Sequence, residues 1–204
     1  MDCFCERKVR DVNAVWSGIL WRKIGVWRYI YMVYYSDGQI TIRNMEYDDA
    51  QKITDAEIEQ GWDASVEKYL TRLEDQKNGK AISMVAEYSE KAVGYINIYP
   101  NNTWGAFGGK GYPEIVDFAV LEKYRNKGIG TVLMDVAEEI AATYADIVYI
   151  GVGLHSGYGS AQRMYVKRGY IPDGSGVWYQ DKICEPYAEC KNDDDLVLYL
   201  SKKI

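Results

Sequence analysis

"DFAVLEKYRNKGIGTVLMDVAEEIA" runs from Asp117 to Ala141 and holds a strand end, a turn and a helix start in one stretch. Asp117–Val120 completes the apolar run "EIVDFAV" that begins at Glu114, and Ile129, Val132, Leu133, Val136 and Ile140 recur at helical spacing. Between the two stand Arg125, Lys127 and the glycines Gly128 and Gly130. A helical glycine costs about 1 kcal/mol relative to alanine. A pair of them at a helix start therefore needs a local reason. Either the chain turns sharply there, or something approaches its backbone closely. A helix N-terminus presents unpaired N–H groups and the positive end of a dipole, which makes this turn a candidate phosphate site. Two commoner phosphate motifs are excluded: there is no G-K-S/T, and Leu133 stands where a dinucleotide fingerprint requires glycine. Taken alone, the motif reads first as a glycine-rich turn without a ligand.

Working outward, the pattern is regular on both sides. "QITIRNM" (39–45) alternates as a strand does. "DDAQKITDAEIEQG" (48–61) opens on acidic capping residues and ends at Gly61, as a helix does. In "SVEKYLTRLEDQKNGK" (65–80), Val66, Tyr69, Leu70 and Leu73 form a helical stripe behind an N-cap at Ser65. "AISMVAEY" (81–88) and "AVGYINIY" (92–99) read as a hairpin, followed by the Gly-rich loop "PNNTWGAFGGKGYP" (100–113). Downstream come a buried-type strand, "DIVYIGVGL" (146–154), a helix, "GSAQRMYVKRG" (159–169), and two strands, "GVWYQDKI" (176–183) and "DLVLYLSKK" (195–203). The order β-α-α-β-β-β-α-β-α-β-β implies an α/β (α+β) chain, a mixed sheet with helices on both faces.

The 204 residues suit one domain, and 48% hydrophobic with 26% charged content suits a globular chain with a real core. The formal charge of −6 disfavours nucleic acid and anionic membranes as partners. Residues 1–31 differ from the remainder: they hold Trp16, Trp21 and Trp27 and six basic against three acidic residues, whereas 32–204 carry −9. Val12, Trp16, Ile19, Leu20, Trp27 and Ile30 fall near helical spacing, which permits an amphipathic helix on a membrane or on the domain. Arg22, Lys23 and Arg28 interrupt it as a signal peptide. The plainer expectation is an N-terminal extension, non-native or disordered, before a domain at 32–204. Of four cysteines, Cys3 and Cys5 form a C-x-C pair and Cys184 and Cys190 a C-x5-C pair. Either pair could close as a disulfide, but without a signal peptide free thiols in a cytoplasmic protein are expected, and with His155 the only histidine no metal site is expected.

The stretch "DFAVLEKYRNKGIG" resembles the pyrophosphate signature Q/R-x-x-G-x-G/A of the GNAT superfamily of acetyl-CoA-dependent N-acetyltransferases, with its A-V pair and aromatic-Arg step in register. A second match, "YGSAQRMYVKRGY" (158–170), resembles the family's helix N-x-x-A-x-x-x-Y-x-x-x-G-F/Y through Ala161, Tyr165, Gly169 and Tyr170. It departs at Tyr158, where the family often carries an asparagine that touches pantetheine; Ser156 or Ser160 are possible substitutes. The resemblance extends over about residues 39–204. The resemblance implies a GNAT fold with a mostly antiparallel sheet of about six to seven strands, and acetyl-CoA as co-substrate. It implies that backbone N–H groups of Asn126, Lys127, Gly128, Ile129, Gly130 and Thr131, behind Arg125, hold the pyrophosphate. By the same resemblance Phe118, Ala119 and Val120 pair with the pantetheine arm as an added strand would.

Acetyl transfer to an amine requires a neutral nucleophile, and an amine of pKa about 10.4 is mostly charged at pH 7. A positioned carboxylate accepts that proton, directly or through water. "EIVDFAV" resembles the strand "EIVFCAI" of the histone-acetylating branch, which points to Glu114 as the base; the alternative is a solvated glutamate behind Pro113. Asp117 is the second candidate, placed by strand alternation on the opposite face from Glu114. Tyr165 is the matched general acid, or else a core tyrosine. His155, at the end of a strand on the cleft side, is a lesser candidate for substrate contact, and Cys184 and Cys190 are expected bystanders.

By the same resemblance the two early helices and the Gly-rich loop shape the acceptor pocket. They offer Trp62, Tyr99, Trp104 and Tyr112, with Asp48, Asp49, Glu57, Glu59 and Asp63 nearby. Aromatics with acids suit a cationic amine, and a solvated acidic helix face is the alternative. The expected activity is N-acetylation of a small primary amine. A protein or peptide amine and a catalytically silent acyl-CoA-binding module are the other readings. A homodimer is compatible with such a domain, and no membrane contact is expected for 32–204.

Overall fold

The structure, a computed structural model, describes residues 31–204. The amphipathic helix read in the first 31 residues lies outside the described part up to Ile30. One sheet organises the remainder. Its strands are β1 (Val33–Ser36), β2 (Ile40–Asn44), β3 (Ile82–Tyr88), β4 (Lys91–Tyr99), β5 (Glu114–Val120), β6 (Ile147–Gly153), β7 (Ile171–Tyr179), β8 (Lys182–Ile183) and β9 (Leu196–Lys203). They lie in the order β1-β2-β3-β4-β5-β6-β9-β7-β8, and every neighbouring pair is antiparallel except β5 and β6.

Among the described residues, four α-helices cover the two faces. Side-chain alternation along the central strands sorts them: Met84, Ala86, Ile96 and Ile98 pack with Leu133 and Met134 of α3 (Ile129–Ala141) and with Tyr165 of α4 (Gly159–Lys167). The intervening Val85 and Tyr95 pack with Ile53 of α1 (Tyr47–Glu59) and with Tyr69 and Leu73 of α2 (Val66–Lys77). The helix starts follow their sequence signals. Ser65 Oγ accepts the Glu67 N–H at 3.2 Å, and Asp49 Oδ2 accepts the Glu46 N–H at 2.8 Å. Asp49 also receives the buried Arg43 guanidinium at 2.6 Å, which pins α1 to β2, and Glu87 takes its other side at 2.7 Å.

Nine strands stand where six to seven were expected, for two local reasons. "VYYS" (33–36) joins the sheet edge without an alternating pattern to announce it. The expected strand 176–183 is folded back on itself: Gln180 and Asp181 adopt φ of 50° and 61°, and this two-residue turn splits off β8. β7 in turn begins at Ile171, because Pro172 and Gly174 are absorbed by an irregularity in its pairing with β9.

Candidate active site

β5 and β6 are bridged only at Glu114–Tyr149 and Ile115–Ile150, so beyond Ile115 the two strands splay and leave the β6-facing edge of β5 without a strand partner. A bulge shapes that edge. Ile115, Phe118 and Val120 all pack on the α3 side, while Ala119 packs on the α1–α2 side, which strict alternation forbids. The pairing of β5 with β4 shifts between Tyr95 and Asn97, and Asp117 sits at φ 50°. The extra residue turns Asp117 toward α2, where Arg72 grips it: Nε donates to Oδ2 at 2.8 Å and Nη2 lies 2.7 Å from the same oxygen. Arg72 Nη1 donates to the Tyr99 hydroxyl at 2.7 Å, and Tyr99 is the β4 partner of Glu114. Asp117 therefore lies on the same side of the sheet as Glu114, not on the opposite face that alternation implied. Arg72→Met removes the grip, and is expected to cost about 1.5–3 kcal/mol, the range for hydrogen bonds to charged groups, read as a lower urea midpoint at unchanged slope.

At the other end of β5, the glycines of the turn have two different duties. Gly128 caps α3 at φ 83°, a left-handed conformation, and a Cβ there would project into open space. A Cβ on Gly130 would lie 3.2 Å from the Phe118 ring, so this glycine lets α3 sit close to β5. α1 and α2 carry acids in their first turns, but α3 carries neither an acid nor a side-chain cap. Its first N–H groups are thus left for another acceptor, beside Arg125 and Lys127. Asn126, at φ 62°, completes the turn, and Ile129 and Thr131 belong to the first turn of α3. Arg125 Nε donates to the Val120 carbonyl at 3.1 Å, which ties the turn to the strand end. This combination suits a phosphate-bearing ligand whose arm lies along the open edge of β5.

Glu114 opens β5 on the α2 side and is 5% exposed. Its Oε2 accepts from the Asn102 amide, itself buried in the Gly-rich loop. Burial pushes the Glu114 pKa up to about 7, against the pull of the Asn102 amide and the neighbouring Tyr149 hydroxyl. Phe107, Tyr149 and Tyr199 pack together beside it, with Tyr112 and Trp178 against them, and Trp104 lies 6.1 Å from the Tyr99 ring. The Gly-rich loop is fastened across this corner by the Gly105 N–H, which donates to Asp181 Oδ1 at 2.6 Å.

The remaining sequence candidates divide. Trp104 and Tyr112 belong to the Glu114 end. Trp62 does not: its ring lies 5.4 Å from the Arg125 guanidinium, beside the glycine turn, and β5 is about 20 Å long. Asp49 and Glu57 are not a solvated acidic face either. Glu57 is buried and accepts from the Tyr69 and Tyr95 hydroxyls. Tyr165 is 4% exposed, with Tyr170 edge-on at 5.8 Å, and burial raises its pKa. His155 takes the Gly157 N–H on Nδ1 at 3.1 Å, so its Nε2 carries the proton toward Asp194, 3.0 Å away. Tyr158 donates to the same Asp194 oxygen at 2.9 Å, and its ring lies over Gly153, where a Cβ would clash at 2.4 Å. Sequence reasoning missed Arg72, Asn102, Tyr149 and Asp194. Only Tyr149 had a signal, a polar-tipped residue in an otherwise apolar strand.

The acetyltransferase (GNAT) family model matches residues 44–170. Among solved structures, the chain is similar to RimL, a ribosomal L7/L12 alpha-N-protein acetyltransferase, with TM-score 0.63 and 11% identity over 88% of this chain and 99% of that one. It is similar to Ard1 from Thermoplasma volcanium, with TM-score 0.59 and 18% identity over 81% and 98%. It is also similar to yncA from Salmonella typhimurium, solved with its cofactor acetyl-CoA, with TM-score 0.58 and 16% identity over 81% and 94%. No curated protein matches the chain in sequence.

Proposed function

The chain belongs to the GNAT acetyltransferase family, and from that premise we propose that it transfers the acetyl group of acetyl-CoA to a primary amine of a small molecule. The observation that carries the reading is the layout of β5. One end meets a helix N-terminus that no side chain of the described residues caps, and the other holds a buried carboxyl with a pKa raised to about 7. The bound cofactor supplies an activated acetyl thioester. The N–H groups from Asn126 to Thr131 hold its pyrophosphate, with Arg125 and Lys127 adding charge, and the open edge of Phe118, Ala119 and Val120 aligns the pantetheine arm. An N–H of that edge stabilises charge on the thioester oxygen. Glu114, ionised above pH 7, accepts the ammonium proton through water. Holding both substrates in one cleft supplies much of the remaining acceleration.

Tyr165 delivers a proton to the departing sulfur. A thiolate of ordinary pKa near 8.5 leaves readily, so Tyr165→Phe is expected to slow turnover only about tenfold, less than a typical acid–base group. The acetyl-CoA affinity should stay near that of the unaltered chain. A loss confined to affinity would make Tyr165 a cofactor contact instead.

A small acceptor is favoured because the Gly-rich loop reaches Glu114 through the Asn102 amide and is fastened to Asp181, which covers one side of the carboxyl. A protein or peptide amine is the second reading, favoured by the activity named for RimL. Thiol release from acetyl-CoA, measured with a panel of small amines and of peptides with free amino termini, separates the two. Release with small amines supports the proposal, and release with peptides alone supports the second reading. Binding of acetyl-CoA without release from either set would point to a silent acyl-CoA module.

A further inference from the structure

The loop between β8 and β9 holds two thiols that the chemistry above does not use. Cys184 and Cys190, six residues apart, face one another with their sulfurs 2.9 Å apart. Both are free and only half-buried, so solutes reach them. The approach is set by the backbone. The Cys184 N–H donates to the Val177 carbonyl at 2.8 Å, continuing the β7–β8 hairpin, and the Ala188 N–H donates to the Glu185 carbonyl at 3.0 Å, which turns the intervening segment back. The same loop runs on to Asp194, which receives the Tyr158 hydroxyl and the His155 imidazole.

We infer that Cys184 and Cys190 are a modification site, a dithiol that closes to an intrachain disulfide and reopens under reduction. The step needs an oxidant of the low-molecular-weight disulfide class. One cysteine thiolate attacks that disulfide, forms a mixed disulfide and releases one small thiol. The second cysteine thiolate then attacks the protein sulfur of the mixed disulfide, forms the Cys184–Cys190 bond and expels the second small thiol. Two S–H bonds are lost and one S–S bond is made, and the two electrons and two protons leave on the oxidant as two thiols. Because the sulfurs already touch, the second attack outruns accumulation of the mixed disulfide. Closing the ring shortens the free part of the loop that presents Asp194. This inference is independent of the acetyltransfer proposal.

The test uses the full chain, oxidised glutathione, quenching with N-ethylmaleimide and tryptic mass mapping. Cleavage after Lys182 and Lys191 leaves both cysteines in the single peptide Ile183–Lys191. The expected peptide is unlabelled and lighter by two hydrogen atoms, and gains two labels when dithiothreitol precedes the quench. Cys190→Ser should instead leave Cys184 trapped as its glutathione adduct. Three results overturn the inference: two labels after oxidation, a stable glutathione adduct on the unaltered chain, or a cross-link from this peptide to the one holding Cys3 and Cys5.

Discussion

Glu114→Gln is expected to lower kcat by about 10²- to 10³-fold, within the usual range for a positioned acid–base group, while the affinity for acetyl-CoA stays near its original value. The amide keeps the size of the side chain and its contact with Asn102 but cannot take a proton. The same substitution should stabilise the fold. The Glu114 pKa is raised by burial from 4.5 to about 7, so between these values the folded chain binds more protons than the unfolded one. Stability therefore falls as pH rises through this window and stays lowered above it, by an amount on the order of 3 kcal/mol. Glutamine removes that cost. Thermal unfolding should show the variant more stable than the unaltered chain at pH 8, with the gap closing toward pH 5. Lost turnover together with gained stability separates a chemical role from damage to the fold.

Gly128→Val carries the second large effect. Its expected result is a loss of acetyl-CoA affinity of about a hundredfold or more, which corresponds to two charge-assisted hydrogen bonds. A Cβ at Gly128 meets no protein atom within 4 Å, so the added side chain disturbs no packing, and on the phosphate reading it crowds the ligand at the start of α3. The left-handed φ of 83° adds roughly 1–2 kcal/mol of backbone strain. That strain is small enough for the domain to remain folded, as circular dichroism would record. Calorimetric titration with acetyl-CoA reads the affinity. Unchanged binding would refute the phosphate role of the turn.

The helix stripe behind Gly128, the apolar run "EIVDFAV" as a strand and the helical spacing around Tyr165 were legible because each is a local pattern imposed by burial. The glycine pair was legible as a demand on the backbone, and the structure divides that demand into a left-handed cap at Gly128 and a close approach at Gly130. The bulge at Asp117 was not legible. Alternation counts residues, and an extra one inserted opposite β4 changes the face of its neighbours without altering composition. Arg72 lies forty-five positions away, and only the fold brings it to Asp117. Trp62 was misplaced for a related reason: nearness in sequence to two helices does not say which end of a strand their junction meets. The hairpin at Gln180 and Asp181 escaped notice because Asp181 is followed by Lys182 rather than glycine, so no Asn-Gly or Asp-Gly pair marks the turn.

The measurement that bears most directly on the central claim is the pH dependence of kcat/KM for amine-dependent thiol release, compared between the unaltered chain and Glu114→Gln. In the unaltered chain kcat/KM should rise with pH and bend near pH 7, where Glu114 becomes the carboxylate that can accept a proton. The bend should be absent from the variant, whose rate follows the ionisation of the amine alone. A bend near pH 7 that persists in Glu114→Gln would contradict the assignment of the base. Equal rates in the two proteins at every pH would remove Glu114 from the chemistry altogether.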